Sequence, residues 1–238
     1  MLEYDGSDFA GWQQQAHGRT VEAELKRALR AITGQDLKVY AAGRTDAGAH
    51  AEGQVVSFQT DGRISPHRLV AALNARLPAD VAVLSAEEVP DAFHARYSAR
   101  WRRYRYRYLD RASRPAMERG RCWHVRGPLD ADAMSQAAKA LVGKHDWTSY
   151  CSASEAPEAR VREMRSARVT RRGDVVELEL VAEGFLRGLA RSIAGALAEV
   201  GRGRRPPEWV GEILRARDRR QAARTAPAGG LTLVEVIY

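Results

Sequence analysis

The sequence predicts an α+β protein whose sheet is mainly antiparallel. Two observations predict this class: stretches with helical periodicity alternate with short β-branched stretches, and one pair of stretches reads as a hairpin around Gly173. At 238 residues the chain can bury a core as one large domain or as two halves that share a sheet. We expect the halves to be residues 1–98 and 99–238, because a second set of helices and strands begins near Ser98.

The first helix is predicted from Val21, with Thr20 as its N-cap and Gly34 beyond its end. Its apolar residues recur at the spacing of one helix face: Val21, Leu25, Ala28, Leu29 and Ile32. The stretches 36–42 and 54–60 then read as strands. Between them, the glycine-rich stretch 41–54, AAGRTDAGAHAEGQ, is interpreted as a loop.

The remaining elements follow from caps and turn residues. Ser65 and Pro66 predict the start of a helix that runs to Arg76, and a strand follows at 80–89. Further along, the predicted elements are a helix from Asp130 through Leu141, a hairpin within 166–182, a helix from Leu186 to Val200, a helix after Pro206 and Pro207, and a closing strand at 231–238.

The charge balance favours a polyanionic partner. The chain has 38 basic and 30 acidic residues, a net charge of +8, so nucleic acid is the first candidate. All but four of the basic residues are arginine, which suits forked phosphate contacts. A GC-rich genome would produce the same arginine excess, but the net positive charge stands in either case.

Several classes of site and location are disfavoured. Cys122 and Cys151 lack the CxxC spacing, and the six histidines show no metal-ligand spacing, so we expect reduced thiols and no metal. No stretch reads as a signal peptide or as an apolar span without arginine. We therefore expect a cytoplasmic protein without a membrane partner.

The segment from Ser98 to Arg111, SARWRRYRYRYLDR, combines basic and aromatic residues. In an extended strand its side chains alternate: Tyr104, Tyr106 and Tyr108 on one face, and Arg103, Arg105 and Arg107 on the other. Such a strand can stack bases and contact phosphates. It can equally be a half-buried strand with tyrosines in the core and solvated arginines. A second basic stretch lies at 158–172.

Asp46 lies among glycines and alanines, two residues after Arg44. Aspartate and glycine are common turn residues, so Asp46 can be purely structural. No second acid at a glycosidase spacing and no Ser/His/Asp arrangement can be identified. The chemical alternative is therefore a single ionised carboxylate that acts as a nucleophile or a base.

The stretch GRTDAGAHAEGQV resembles the motif of the tRNA pseudouridine synthase A family, and the resemblance covers nearly the whole chain. EYDGSDFAGWQQQ is similar to the family's opening, and VPDAFHARYSARWRRYRYRY is similar to its central block. EGFLRGLARSIAGALAEVG and TAPAGGLTLVEVIY resemble its third motif and closing strand.

The resemblance implies the pseudouridine synthase fold, in which two related halves form a mainly antiparallel mixed sheet flanked by helices around an active-site cleft. The N-terminal half would carry the catalytic aspartate loop, and the C-terminal half the uracil-stacking tyrosine and the basic partner of the aspartate. It implies a homodimer that binds tRNA and converts uridine to pseudouridine at positions 38, 39 and 40, in the anticodon stem-loop. No cofactor and no metal would take part.

The resemblance also implies a role for individual residues. Asp46 takes the place of the catalytic aspartate, with Arg44 as its motif companion. Tyr104 matches the tyrosine that stacks on the uracil, and Arg191 matches the basic partner of the aspartate. The remaining assignments are Phe185 and Leu186 to the uracil pocket, and Arg102, Arg103, Arg105 and Arg107 to the tRNA backbone.

Three departures from the family pattern carry expectations. Gln14 replaces a common arginine, which would weaken an RNA contact, and Leu189 replaces a usual methionine, a size-conserving change. Few residues precede the EYDGS stretch, which predicts a weakened edge strand. Two other functions remain open: an RNA-binding module with a structural Asp46, and a hydrolase that cleaves a nucleotide glycosidic bond.

Overall fold

The computed structural model describes residues 1–62 and 64–238, which form two compact units. The first unit contains Met1–Arg100 and Leu233–Tyr238, and the second contains Trp101–Thr232. The last six residues lie in the first unit because they bond to it. The Arg100 N–H donates to the Ile237 carbonyl at 2.8 Å, and the Tyr238 hydroxyl donates to the Ala95 carbonyl at 2.9 Å.

Helices and strands alternate through the described residues. The helices are α1 Val21–Thr33, α2 Pro66–Asn74, α3 Ala131–Ala138, α4 Leu189–Gly201 and α5 Trp209–Ala216. The strands are β1 Leu2–Tyr4, β2 Tyr40–Ala41, β3 His50–Gln54, β4 Val56–Ser57, β5 Val81–Val83, β6 Trp101–Leu109, β7 Trp123–His124, β8 Gly143–Asp146, β9 Val161–Arg172, β10 Val175–Ala182 and β11 Leu231–Ile237. None of the described helices has the length and hydropathy needed to cross a membrane.

In the first unit, β1 pairs antiparallel with both β3 and β5, and β11 lies on the other side of β3. The prediction that the first strand is a weak edge strand is therefore wrong. Each of its sides is hydrogen-bonded, and Leu2 and Tyr4 are buried. Strands β2 and β4 form a separate antiparallel pair that leads into and away from the glycine-rich stretch.

Helix α1 confirms its predicted bounds and caps. The Thr20 hydroxyl accepts the Ala23 N–H, and Gly34 ends the helix with φ 71° and an N–H bonded to the Arg30 carbonyl. Its predicted apolar face is buried from Val21 to Leu29. An N-cap and a left-handed C-terminal glycine satisfy backbone groups that the helix itself leaves unpaired.

In the second unit, β6, β10, β9 and β8 follow one another as antiparallel neighbours, and β7 adds a parallel pair on β6. The predicted hairpin is confirmed, since β9 turns into β10 at Gly173, which has φ 58°. Each unit thus combines helices with mainly antiparallel strands, which confirms the α+β class.

Several predicted boundaries are wrong. The strands expected at 36–42, 54–60 and 80–89 cover only Tyr40–Ala41, Val56–Ser57 and Val81–Val83. The stretch 41–54 is not all loop, because its last five residues form β3, a strand buried at four of its five positions and therefore without polar alternation. Helix α4 begins at Leu189 rather than Leu186, because Gly188 precedes it in a left-handed conformation with φ 76°. Leu186 consequently lies on the segment that enters the helix.

Buried tyrosines should make the fold sensitive to alkali. Burial raises the pKa of Tyr4 to about 12 and raises the pKa of Tyr106, Tyr108 and Tyr150 as well. Above pH 10 the unfolded chain releases these protons while the folded protein retains them, so rising pH favours unfolding. We expect the free energy of unfolding to fall by up to about 1.4 kcal/mol per pH unit for each such tyrosine.

Urea denaturation followed by circular dichroism at a series of pH values from 9 to about 11 measures this loss. The Tyr4→Phe variant removes one of the titrating groups, so its stability should fall less steeply than that of the parent. A parent stability that stays constant across the series would contradict the prediction.

Candidate active site

Asp46 lies on the loop that connects β2 to β3. The Asp46 side chain is half-buried, while Arg44 is exposed and Thr45 between them is 6% exposed. The Ala49 N–H donates to the Asp46 carbonyl at 3.0 Å, and Gly48 reverses the chain with φ 80°. The loop therefore holds the carboxylate at the boundary between core and solvent.

Two buried polar side chains support this loop from below. The Tyr4 hydroxyl lies 2.8 Å from the Thr45 hydroxyl, and Gln54 Nε2 donates to the Gly43 carbonyl at 2.7 Å. Tyr4 is 4% exposed and Gln54 is completely buried. Both bonds hold residues next to Arg44 and Asp46, so β1 and β3 restrict the conformation of the loop.

The segment after β1 packs against the same loop. The Gly6 N–H donates to His50 Nδ1 at 3.0 Å, and a Cβ added at Gly6 would overlap the Ala49 carbonyl oxygen. The Trp12 N–H also donates to the Thr45 carbonyl at 3.1 Å. Glycine at position 6 thus permits a close approach that any side chain would prevent.

The supporting residues Tyr4, Gly6, His50 and Gln54 were not identified as functional from the sequence. The available signal was the glycine-containing opening EYDGSDFAGW, which resembles a family motif. This opening segment packs against the Asp46 loop, which explains why the opening motif and the aspartate motif occur together.

Tyr104, Phe185 and Leu186 lie in the second unit. Tyr104 is near the middle of β6 and is 5% exposed, and its ring meets Phe185 edge-on with a centroid separation of 4.6 Å. Phe185 is half-buried and Leu186 is 7% exposed, both between β10 and α4. Tyr104 and Phe185 are thus in ring contact, with Phe185 as the more exposed of the two.

Arg191 lies in the first turn of α4, where its side chain is oriented by the segment before β11. Its Nε donates to the Ala226 carbonyl at 2.8 Å, and the Ala226 N–H donates back to the Arg191 carbonyl at 3.1 Å. The Tyr106 hydroxyl donates to the Pro227 carbonyl at 2.7 Å and holds the same segment. These bonds place Arg191 at the wall of a cavity of about 900 Å³.

This cavity is strongly basic. Its described lining includes six arginines, Arg191, Arg202, Arg204, Arg205, Arg220 and Arg224. The lining also contains the carboxylate of Glu199, which pairs with Arg202 at 3.0 Å and Arg204 at 3.3 Å. Two tryptophans of the lining carry guanidinium groups over their rings, Arg202 over Trp123 and Arg205 over Trp209. Such a cavity suits an anionic ligand.

The arginines of β6 have partners within the second unit. Arg103 lies 3.8 Å from a Glu179 oxygen, Arg105 lies 4.0 Å from a Glu177 oxygen, and Arg107 lies 2.7 Å from a Glu118 oxygen. Arg102 is 7% exposed and donates to the Glu183 carbonyl. The tyrosine face of β6 is buried, as the structural interpretation of this strand requires.

The second basic stretch, residues 158–172, also contains an arginine with a structural role. Arg171 donates to both carboxylate oxygens of Asp110, at 3.1 and 2.6 Å, and the Asp110 side chain is 2% exposed. Hydrogen bonding to this carboxylate raises the pKa of the Arg171 guanidinium. No group of three or more His, Cys, Asp or Glu side chains within 1–62 and 64–238 is arranged to hold a metal ion.

Known proteins match the chain along its whole length. The family described as tRNA pseudouridine synthase matches residues 1–98 and 137–238. The chain belongs to the tRNA pseudouridine synthase family. A protein of Moorella thermoacetica named tRNA pseudouridine synthase A is 46% identical over 239 residues, covering 100% of this chain and 97% of the relative. Proteins of the same name from Brevibacillus brevis and Shewanella baltica are 44% and 43% identical, covering 100% of this chain and 98% and 91% of theirs.

The family match includes five of the ten candidate residues. Asp46 and Arg44 lie in its first range, and Phe185, Leu186 and Arg191 lie in its second. Tyr104 and the four candidate arginines of β6 fall between the two ranges, but the pseudouridine synthase relatives align across them. The first unit thus contains Asp46 and Arg44, and the second contains the other eight.

Proposed function

We propose that this isomerase of the pseudouridine synthase family converts uridine to pseudouridine at positions 38, 39 and 40 of tRNA. The observation that carries the proposal is the half-buried Asp46 carboxylate, on a loop held by Tyr4 and Gln54 within the family's own motif. Relatives that match the whole chain are named tRNA pseudouridine synthase A, which supports tRNA as the substrate.

The reaction needs a carboxylate but no net redox change. The bond between uracil N1 and ribose C1′ breaks, the base turns, and C5 bonds to C1′, while C5 loses a proton and N1 gains one. Asp46 would act by attacking uracil C6, by attacking ribose C1′, or by removing a ribose proton. The base must leave its stack to reach such a loop, as in other enzymes that act on a nucleobase.

The other candidate residues would bind the uridine. Tyr104 would stack on the uracil and exclude water, since an intruding water would turn isomerisation into hydrolysis. Phe185 and Leu186 would line the pocket, and the edge-on contact of Phe185 with Tyr104 supports a shared role. Arg191 would keep the Asp46 carboxylate ionised, and Arg44 would help to extrude the base.

The tRNA backbone would meet exposed arginines around the basic cavity. Arg205 and Arg224 are exposed and line it, whereas Arg103, Arg105 and Arg107 already lie near glutamates. A phosphate that binds the β6 arginines must compete with those carboxylates, so we assign these residues a smaller share of the binding. We further propose a cytoplasmic homodimer, as the family resemblance implies.

One assay tests the proposed function against its two rivals. The protein is incubated with unmodified tRNA transcript in buffer containing EDTA, and the RNA is analysed for pseudouridine while the supernatant is analysed for free uracil. Pseudouridine at positions 38 to 40 supports the proposal. Free uracil would identify a glycosidic hydrolase, and neither product would identify a binding module.

Binding of tRNA should weaken steeply with salt. If about six phosphates are neutralised, the dissociation constant should rise roughly 10³-fold between 50 and 200 mM salt. Fluorescence anisotropy of labelled transcript measures this dissociation constant at each salt concentration. Arg205→Gln should reduce the logarithmic salt dependence by about one, whereas Arg30→Gln, on exposed α1 surface, should leave it unchanged. Affinity indifferent to salt would contradict this prediction.

A further inference from the structure

Three ring side chains of the first unit form an aromatic ladder, defined here as Tyr40, His94 and Tyr97. The ring centroids of Tyr40 and His94 are 4.5 Å apart, and those of His94 and Tyr97 are 4.4 Å apart. A cation lies at each end: Lys38 Nζ is 5.1 Å from the Tyr40 centroid, and Arg96 Cζ is 5.6 Å from the Tyr97 centroid. Aromatic rings with flanking cations are the side chains that bind single-stranded nucleic acid.

The outer ring of the ladder is strongly exposed. Tyr97 is 75% exposed, while Tyr40 and His94 are half-buried. A single exposed apolar residue is common on protein surfaces. Tyr97 differs because its ring contacts His94, whose ring contacts Tyr40 in turn, with ring planes tilted by 38° and 49°. Tyr97 is therefore the exposed end of a series of ring contacts.

His94 and Tyr97 lie on a loop whose backbone is bonded to its surroundings. The Ala95 N–H donates to the Ser57 hydroxyl at 3.0 Å, and the Ala95 carbonyl accepts the Tyr238 hydroxyl at 2.9 Å. Phe93 packs on the Tyr238 ring with a centroid separation of 4.9 Å. Residues before and within the ladder are therefore held by β4 and by the C-terminal residue.

Bonds within the loop orient the His94 ring and the backbone of Tyr97. His94 Nδ1 accepts the N–H groups of Arg96 and Tyr97 at 3.1 and 3.3 Å, and the Ser98 N–H donates to the His94 carbonyl at 2.9 Å. A backbone held in this way loses little conformational entropy when a ligand binds to the side chain that it carries. The backbone of Tyr97 is thus preorganised next to the His94 ring.

We propose that Tyr97 stacks an unpaired base of the RNA substrate, and that Arg96 and Lys38 contact the adjoining phosphates. The inference rests on the proposed function for its substrate class and adds a contact outside the uridine pocket. Tyr40 belongs to β2, the strand that leads directly into the Asp46 loop, so a nucleotide on the ladder lies on the same unit as the catalytic carboxylate.

The flanking charges favour RNA over a protein partner for this surface. Both ends of the ladder are cationic, and the whole chain carries a net charge of +8. Phosphate next to a base satisfies both features at once, because the base stacks while the phosphate neutralises charge. A protein partner remains an outcome of the test below.

The test compares dissociation constants of two RNAs with variants of the exposed ring. Tyr97→Leu should raise the dissociation constant for unmodified tRNA transcript by about 5- to 100-fold, whereas Tyr97→Phe retains a stacking face and should stay within about twofold. For a fully paired RNA duplex, which has no unpaired bases, Tyr97→Leu should have no effect. Leu84→Ala, at another exposed apolar residue of the same unit, is the matched control.

Several results would overturn the inference. One is equal binding of transcript by the parent and Tyr97→Leu, and another is an equal loss of affinity for the paired duplex. A third is a changed sedimentation coefficient of Tyr97→Leu without RNA, which would indicate a protein contact. Pseudouridine formation by the parent is scored in parallel. If Tyr97→Leu binds transcript more weakly but the parent forms no pseudouridine, only the proposed function is wrong. If the parent forms pseudouridine and Tyr97→Leu binds transcript as tightly as the parent, only this inference is wrong.

Discussion

Replacing the Asp46 carboxylate by an amide should abolish pseudouridine formation. Asp46→Asn keeps the size of the side chain but removes the charge and the basicity that each of the three candidate chemical roles requires. Because no other residue of the loop carries a carboxylate, we expect the rate to fall by about 10³-fold or more. Single-turnover conversion of tRNA transcript, with pseudouridine quantified by mass spectrometry of nucleosides, measures the effect.

Two controls separate chemistry from folding and binding. The transcript dissociation constant of Asp46→Asn should stay within about threefold of the parent, because the loop is held mainly by Tyr4 and Gln54. Asp36→Asn, an exposed acid of the same unit, should retain full activity. If Asp46→Asn were as active as the parent, Asp46 would be a turn residue after all.

The second large effect is expected at Gly6, where an added Cβ would lie only 1.9 Å from the Ala49 carbonyl oxygen. Gly6→Ala forces the Asp46 loop and the start of β3 away from the segment after β1. Backbone cannot yield as a flexible side chain can, so we expect a loss of about 3 kcal/mol or more of unfolding free energy, together with loss of activity. Urea denaturation and the pseudouridine assay measure the two effects.

Gly62→Ala is the matched control in the same unit, since its added Cβ meets the hydroxyl of the Thr60 side chain at 3.2 Å on exposed surface. That variant should retain the stability and activity of the parent. A stable and active Gly6→Ala protein would show that the close approach of Gly6 to Ala49 is not needed to hold the Asp46 loop.

Asp46 could be singled out without coordinates because its motif is contiguous. Arg44, Asp46 and the surrounding small residues lie within a few positions of one another, so their pattern is visible in the chain itself. The residues that hold the loop are not visible in this way. Tyr4 is 41 residues from Thr45, and its phenol offers no sign of its partner until β1 and β3 pair.

The β6 segment shows where a local pattern supports two outcomes. Strict alternation of tyrosine and arginine predicts a strand with two unlike faces, and that strand is present. Alternation does not say whether the arginine face is accessible to RNA. The accessibility depends on β10, which pairs with β6 and brings Glu177 and Glu179 opposite Arg107 and Arg105 in the strand register.

Helix α1 and the β9–β10 hairpin were predictable because their decisive interactions are short in sequence. Thr20 caps a residue three positions away, Gly34 bonds four positions back, and Gly173 turns adjoining strands. Strand neighbours, the bonds that orient Arg191 and the support beneath Asp46 instead join residues far apart in the chain. Such contacts depend on how the whole unit packs, and a linear pattern of residue types contains no distance between them.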